Sequence, residues 1–363
     1  MKIFRLTIRN SKTTQAVLGR GMANIPAELP GLFRAADKIC LVVALDAPPS
    51  LRARALALFP EGEKPHFRFQ LPRSAKAKTL EQAGKLCSFL FDKGFSRNSV
   101  VIAVGGGAVT DLAGFAASIY MRGIRWVSVP TTFLAQIDAG LGGKTAVDLG
   151  GAKNIVGAFH QPALAVCDAA FLDSLPLREL RSGAGELVKY AMIGPAGLRR
   201  TVKINLSRVL AGETSALTAC LGACAAYKLR LAAKDERDET GLREALNFGH
   251  TAGHAFEALS GGRLPHGEAV ARGLRFALIA SREAGLLGRA RFAELSALVD
   301  ALRLPPAAAV RRDFREFLGL VSRDKKARGA KNRFMLIRAP GRLSAAENLG
   351  APALKKAFHG ALL

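Results

Sequence analysis

Apolar positions in the first half of the chain fall into short, β-branched runs. Residues 38–46 (KICLVVALD) and 98–104 (NSVVIAV) are runs of strand length, and helix-like stretches separate them. A third run covers Trp126–Val129. Strands alternating with helices predict βαβ units and a parallel sheet. From about residue 172 the pattern changes to long Ala- and Leu-rich segments with apolar residues at helical spacing, as at Leu217, Leu221, Cys224 and Leu231. That spacing predicts an all-helical second half. The break falls at FLDSLPLREL, where Ser174 and Pro176 mark the start of a helix. The reading is an α/β domain over 1–172 followed by an all-α domain over 173–363. Pro60–Arg73 is the least regular stretch and reads as a loop with a short strand.

Composition then narrows the class. A chain of 363 residues, 49% of them apolar, can bury two cores and is not disordered. The opening MKIFRLTIRN has no apolar h-region, and no later window approaches the roughly 18 apolar residues of a membrane span. The expectation is a soluble cytoplasmic protein with no membrane partner. Cys40, Cys87, Cys167, Cys220 and Cys224 are odd in number and form no C-x-x-C pair, which predicts buried free thiols rather than disulfides or a thiolate zinc site. The net charge of +24 attracts nucleic acid, anionic lipid and phosphorylated metabolites alike. Its cations are spread along the chain, with only short clusters such as Arg311-Arg312 and Lys325-Lys326. One Trp and three Tyr do not make a base-stacking platform. A solvated basic surface is the simpler reading, and nucleic acid is not the expected partner.

After the strand ending at Val104 comes Gly105-Gly106-Gly107-Ala108-Val109-Thr110-Asp111, then Leu112, Phe115 and Ile119 on one helical face. A strand, a glycine turn and a helix N-terminus let backbone N–H groups approach a pyrophosphate. The spacing is not G-x-G-x-x-G, so the motif alone does not separate nucleotide binding from a tight βα turn. Pro130-Thr131-Thr132 adds two hydroxyls at the same carboxyl edge of the sheet, where open α/β folds bind ligands.

Three of the six histidines, His250, His254 and His266, crowd into NFGHTAGHAFEALSGGRLPHGEAV. His250 and His254 are four apart and share a helical face, which is metal-ligand spacing. A Gly-Gly-Arg-Leu-Pro loop can return His266 to the same place. A catalytic zinc takes three protein ligands and keeps one position open. Glu186 in GELVKY is a candidate third ligand, although pairing with Lys189 on its own helix face accounts for it equally well.

Taken together, GGGAVTDLAGFAASIYMRG, PTTFLAQIDAGLGGKTAVD, GAKNIVGAFHQP, SGAGELVKY, LNFGHTAGHAFE and PHGEAVARG resemble the 3-dehydroquinate synthase family, in order and at the right separations. The resemblance runs from about residue 98 to 275, with Arg323-Asp324-Lys325-Lys326 as a late anchor. It implies a Rossmann-like NAD-binding domain, a helical metal-binding domain and a homodimer. The implied metal ligands are Glu186, His250 and His266, for one zinc or cobalt ion per subunit, with His254 in the active site but off the metal. On the cofactor side the resemblance implies Asp46, Lys78, Gly106, Gly107, Ala108, Asp111, Thr131, Thr132, Leu134, Asp138, Lys144, Lys153 and Ser174. For the substrate phosphate it implies Lys144, Asn154, His254 and Lys325, with Arg122 reaching in from the partner subunit. Lys228, Arg243 and Asn247 would hold the carboxylate end, and Asp138 and Lys189 the ring hydroxyls.

The implied reaction converts 3-deoxy-arabino-heptulosonate 7-phosphate to 3-dehydroquinate and phosphate. It runs by transient oxidation at C5, phosphate elimination, re-reduction and intramolecular aldol closure, with no net oxidation. Departures from the family pattern are Ala75 in place of a Glu that helps bind NAD, one extra residue in Asp235–Arg243 that leaves Asp238 and Glu239 as alternatives, Ala146 after GGKT, and Pro195 after KYAMIG. Three rival readings stand beside it. They are another sugar phosphate cyclase (sedoheptulose 7-phosphate or aminoshikimate type), a metal-dependent alcohol or glycerol dehydrogenase, and a non-catalytic nucleic-acid binder.

Overall fold

The computed structural model describes residues 4–9, 13–23, 32–59, 65–73, 77–150, 152–322, 333–347 and 349–363. The chain divides into two compact units, Met1–Leu175 with Ala225–Arg237, and Pro176–Cys224 with Asp238–Leu363.

In the first unit the elements are β1 (Phe4–Arg9), β2 (Thr13–Gly19), β3 (Ile39–Ala44), α1 (Pro49–Ala57), β4 (Phe67–Leu71), α2 (Leu80–Asp92), β5 (Val100–Gly105), α3 (Gly107–Ile119), β6 (Arg125–Pro130), β7 (Lys144–Leu149), β8 (Ala152–Phe159) and β9 (Leu164–Asp168). Seven of the strands form one sheet in the order β1-β2-β9-β6-β5-β3-β4. β1 is antiparallel to β2, and the other neighbours are parallel. The apolar runs lack alternation because both sheet faces are covered. In β5, Val101 and Ala103 join a core with Leu86, Leu112 and Phe115, while Val100, Ile102 and Val104 join another with Phe59, Val127 and Phe171. Thr79 caps α2 by accepting from the Gln82 N–H at 3.2 Å. β7 and β8 form a separate antiparallel hairpin, with Lys144 opposite Phe159 and Val147 opposite Val156.

The second unit is helical, as the sequence predicts. It holds α4 (Leu177–Ile193), α5 (Ala196–Leu210), the start of α6 (Thr214–Lys234), α7 (His250–Leu259), α8 (His266–Glu283), α9 (Arg289–Asp300), α10 (Phe314–Ser322) and α11 (Ala351–Ala361). Pro176 rather than Ser174 stands at the cap of α4. Its core is aromatic, with Phe317 5.3 Å from Phe256 and 5.0 Å from Phe358, ring centre to ring centre.

Two expectations need correction. The unit is not purely α, because β10 (Arg333–Ala339) and β11 (Arg342–Glu347) pair as a hairpin. Its period-2 pattern is short, with Phe334, Leu336 and Ile337 buried, and the Pro340-Gly341 turn is the local signal that marks it. The expectation that no segment has the length and apolarity of a membrane span also fails. Among the described residues α6 meets both conditions, by length and composition alone. Leu217, Leu221 and Cys224 of α6 are buried core residues, the ordinary reason for such a helix.

All five cysteines are free thiols. Burial pushes Cys40, Cys167 and Cys220 up to about 12, and Cys87, half-buried, rises less far. Since the thiolate is the nucleophile, buried thiols are inert. A thiol reagent at mildly alkaline pH is expected to label Cys87 in the native protein and the other four only after denaturant. Peptide mass spectrometry reads the order, and early labelling of Cys40 or Cys167 would contradict the packing described.

Candidate active site

Helix α8 runs in backbone contact with two neighbours, and glycine makes this possible. A Cβ on Gly267 would lie 1.6 Å from the Ser182 carbonyl oxygen of α4, and one on Gly273 would lie 1.9 Å from the carbonyl oxygen of Gly249, just before α7. Each of three donor residues is the immediate chain neighbour of a glycine at these contacts: Glu186 follows Gly185, His250 follows Gly249, and His266 precedes Gly267. Three separate stretches of sequence are thereby drawn to one point.

There, Glu186 Oε1 lies 3.2 Å from His250 Nε2 and 3.4 Å from His266 Nε2. All three donor atoms fall within 4.8 Å of one another. Two donors bound at about 2.0–2.1 Å to a tetrahedral zinc lie about 3.3 Å apart, so the spacing fits one divalent ion. Glu186 Oε2 meets Lys189 Nζ at 2.5 Å, with both side chains buried. The ion-pair reading and the ligand reading of Glu186 therefore describe its two different oxygens. Burial pushes the Glu186 carboxyl up, but the Lys189 ammonium and the His250 imidazole outweigh it and hold the group well below the usual carboxylate range. Burial lowers His250 against the pull of the Glu186 carboxylate, which raises it, and so favours the neutral ring whose lone pair a metal takes. His250 Nδ1 faces the Phe248 carbonyl at 3.3 Å, which turns Nε2 toward Glu186. For His266, burial is opposed and overcome by the Glu186 and Glu257 carboxylates, which bring it to about 9.

The His254 ring lies 5.5 Å from that of His250 and 5.8 Å from that of His266, beside the three-donor group rather than in it. Arg243, fully buried, and Asn247 stand on the 3₁₀ turn Leu242–Asn247 that leads into α7. Glu244 on the same turn takes a two-pronged pair from Arg333, at 3.1 and 3.0 Å. Lys325 and Ala75 lie outside the described residues. Sequence reasoning missed Glu257, which is buried with Oε2 3.5 Å from His266 Nδ1. The signal was present, since positions 250, 254 and 257 share one helix face.

In the first unit Gly106 caps α3, and the N–H groups of Val109 and Thr110 return to its carbonyl at 3.0 and 3.2 Å. The Thr131 N–H donates to the Gly105 carbonyl at 2.9 Å, which sets Thr131 and Thr132 against the glycine turn. A Cβ on Gly107 would come within 3.0 Å of the Ala139 methyl, so the helix starts hard against the following π-helical turn Ala135–Ala139. Leu134 caps that turn and Asp138 lies in it; Lys228 donates to the Asp138 carbonyl at 2.6 Å and to its carboxylate. Lys78 Nζ lies 2.5 Å from Asp111 Oδ2 and also donates to Asn154 Oδ1. Asn154 has φ 53°, and its N–H donates to Asp148 Oδ1 at 2.8 Å.

Ala108 is in the first turn of α3, and Lys144, Lys153 and Asp46 are exposed. Ser174 lines an open recess of about 570 Å³ with Met22, Leu51, Arg54 and Phe171. Arg122 is exposed and has φ 65°, directly after Met121 at φ 47°. Two consecutive left-handed residues without a glycine are strained backbone.

A parallel sheet with a glycine turn and a helical unit with a Glu, His, His group are the two parts of this fold. A crystal structure of 2-deoxy-scyllo-inosose synthase complexed with carbaglucose-6-phosphate, NAD+ and Co2+ has this fold, with TM-score 0.85 and 23% identity, covering 98% of this chain and 99% of that one. The family model described as 3-dehydroquinate synthase N-terminal matches residues 68–182, and that described as 3-dehydroquinate synthase C-terminal matches 183–327. The 3-dehydroquinate synthase of Acidithiobacillus ferrooxidans is 41% identical over 280 residues, 77% of this chain and 76% of that protein. That of Symbiobacterium thermophilum is 37% identical over 338 residues, 92% of this chain and 94% of the relative. The chain belongs to the 3-dehydroquinate synthase family.

The glycine contacts are testable alone. Gly273→Ala is expected to force α8 off the turn at Gly249, at a cost of about 1–3 kcal/mol, as overpacking generally does. Urea denaturation of the metal-free protein measures the loss, and an unchanged midpoint would show that the backbones are not in contact.

Proposed function

We propose that the chain catalyses the 3-dehydroquinate synthase reaction, the conversion of 3-deoxy-arabino-heptulosonate 7-phosphate to 3-dehydroquinate and phosphate, as a carbon–oxygen lyase of aromatic amino acid biosynthesis. The observation that carries this reading is the donor group of Glu186, His250 and His266, set at the spacing of ligands around one divalent ion. When bound, zinc or cobalt supplies Lewis acidity to a substrate hydroxyl, and NAD supplies a reversible hydride acceptor.

The residues of this chain do the rest. In the first unit, the backbone of Gly106, Gly107 and Ala108 at the α3 N-terminus receives the cofactor's pyrophosphate. Thr131, Thr132 and Leu134 line it, with Asp46 and Lys78 toward the adenosine, and Lys153 and Ser174 add to the cofactor side. Lys78 and Asp111 hold each other at 2.5 Å beside that turn. Lys144 and Asn154 bind phosphate oxygens, Asp138 takes a ring hydroxyl, and Lys228 takes the carboxylate. In the second unit, Arg243 and Asn247 bind the carboxylate, His254 and Lys325 the phosphate, and Lys189 a ring hydroxyl. Fixed cations of this kind stabilise the oxyanion and enolate charge that develops during elimination and aldol closure. Free cysteines throughout fit a reducing, cytoplasmic setting.

We also infer a homodimer. Ile119, Met121, Ile155 and Phe159 are exposed apolar residues at the end of α3 and on the β7–β8 hairpin, and strained Arg122 stands among them in sequence. A second copy is the partner such a surface fits.

Two experiments test these readings. Purified, zinc-loaded protein with catalytic NAD is expected to release phosphate from 3-deoxy-arabino-heptulosonate 7-phosphate and not from sedoheptulose 7-phosphate, with activity lost to chelator and to His250→Ala. Net NADH accumulation with a simple alcohol would point instead to a dehydrogenase, and zinc-independent, salt-sensitive nucleic-acid binding to the third class. For the dimer, Arg122→Ala and His250→Ala are each expected to be inactive, while their mixture regains activity. Random re-pairing gives one intact site in half of the dimers, about a quarter of all sites, if Arg122 serves its partner. No recovery on re-pairing would place Arg122 in its own subunit's site.

A further inference from the structure

We propose that Glu257 is the positioning residue that holds the His266 imidazole for metal binding, an inference that rests on the metal reading of Glu186, His250 and His266. The two ring nitrogens of His266 face different carboxylates: Nε2 is 3.4 Å from Glu186 Oε1 in the donor group, and Nδ1 is 3.5 Å from Glu257 Oε2 on the far side. Glu257 is not itself part of the three-donor group. Its side chain is 8% exposed, and a buried carboxylate is costly unless something answers its charge.

The two aligning contacts in the donor group differ in kind. His250 is aligned by a main-chain acceptor, the Phe248 carbonyl, which no side-chain change removes. The aligning contact at His266 is a side chain. His266 opens α8 and its side chain is 34% exposed, so packing alone restrains it weakly. The connection between the two residues is tied down locally. The Ser260 hydroxyl donates to the Glu257 carbonyl at 2.6 Å and accepts from the Leu264 N–H at 3.0 Å, while the Gly262 N–H reaches the Glu257 carbonyl at 3.2 Å. That short hydrogen-bonded loop sets the distance between Glu257 and His266. A carboxylate on the outer nitrogen fixes the tautomer, aims the other nitrogen and makes it a stronger donor.

The test uses the full chain and its Glu257→Gln and Glu257→Asp variants. Zinc affinity is measured by competition with a chromophoric chelator, the visible spectrum is taken after cobalt loading, and the melting temperature is taken without metal. Glu257→Gln, an isostere without the charge, is expected to bind zinc about 10–100-fold more weakly. Its cobalt spectrum should be altered and its metal-free melting temperature unchanged, and Glu257→Asp should recover part of the affinity. Zinc binding by Glu257→Gln as tight as in the parent overturns the proposal. So does a loss of affinity that merely tracks a fall in metal-free stability. If the parent chain itself binds no zinc, the metal reading fails, and the role of Glu257 fails with it.

Discussion

The second unit depends on the backbone-to-backbone seating of α8 against α4 and the start of α7. Helices normally pack with 8–10 Å between axes, kept apart by side chains. Here Gly267 and Gly273 leave no room for even a methyl group. The donor residues sit one position from the contact glycines, so their side chains leave the backbone where the helices are closest. A carboxylate and two imidazoles then meet without long, flexible side chains having to bridge a gap. Metal sites need this economy of reach, because a ligand free to wander by an ångström is no longer preorganised.

The same closeness creates an electrostatic problem that the local residues resolve. A lone carboxylate buried as deeply as Glu186 would take up a proton, and a protonated acid is a poor ligand. Lys189, one turn along α4, occupies the oxygen that the histidines leave, and its ammonium keeps Glu186 charged. The first unit repeats the device. Lys78 is held by Asp111 and Asn154, and Lys228 by Asp138. Each cation is fixed in place by an acid, so its orientation is set before any ligand arrives, and electrostatic stabilisation depends on that prior order.

Sequence patterns exposed these features unequally. β3, β5 and β6 were legible because strands buried on both faces read as continuous apolar runs, and the turn at Gly105 was legible because glycines at a strand end have few other uses. Helical spacing brought out His250 and His254 as a ligand pair, but only His250 belongs to the donor group, and the spacing cannot tell the two apart. The place of Glu186 was not legible, because Glu186 and Lys189 at i, i+3 satisfy an ion pair, and the structure shows that one oxygen meets Lys189 while the other faces the two imidazoles. Glu257 shares a helix face with His250 and His254, but that face does not name its partner, which lies nine residues on, across a loop whose course the periodicity does not give. The β10–β11 hairpin escaped because its buried set is only Phe334, Leu336 and Ile337, too short to stand out among helices.

The charge balance gives these clusters their context. With 53 Lys and Arg against 29 Asp and Glu, acids are scarce in this chain. Exposed pairs such as Arg20 with Asp173 or Arg311 with Glu316 contribute little, since water and salt screen them. Asp111, Asp138, Glu186 and Glu257 are placed differently, each against a cation or imidazole and shielded from water more than those surface pairs. The surplus of positive charge acts over longer range, as a field that draws anions toward the protein. Field and clusters are therefore separable: the first is diffuse and salt-dependent, the second short-range and buried. A phosphorylated carboxylic acid is the kind of small molecule that answers to both.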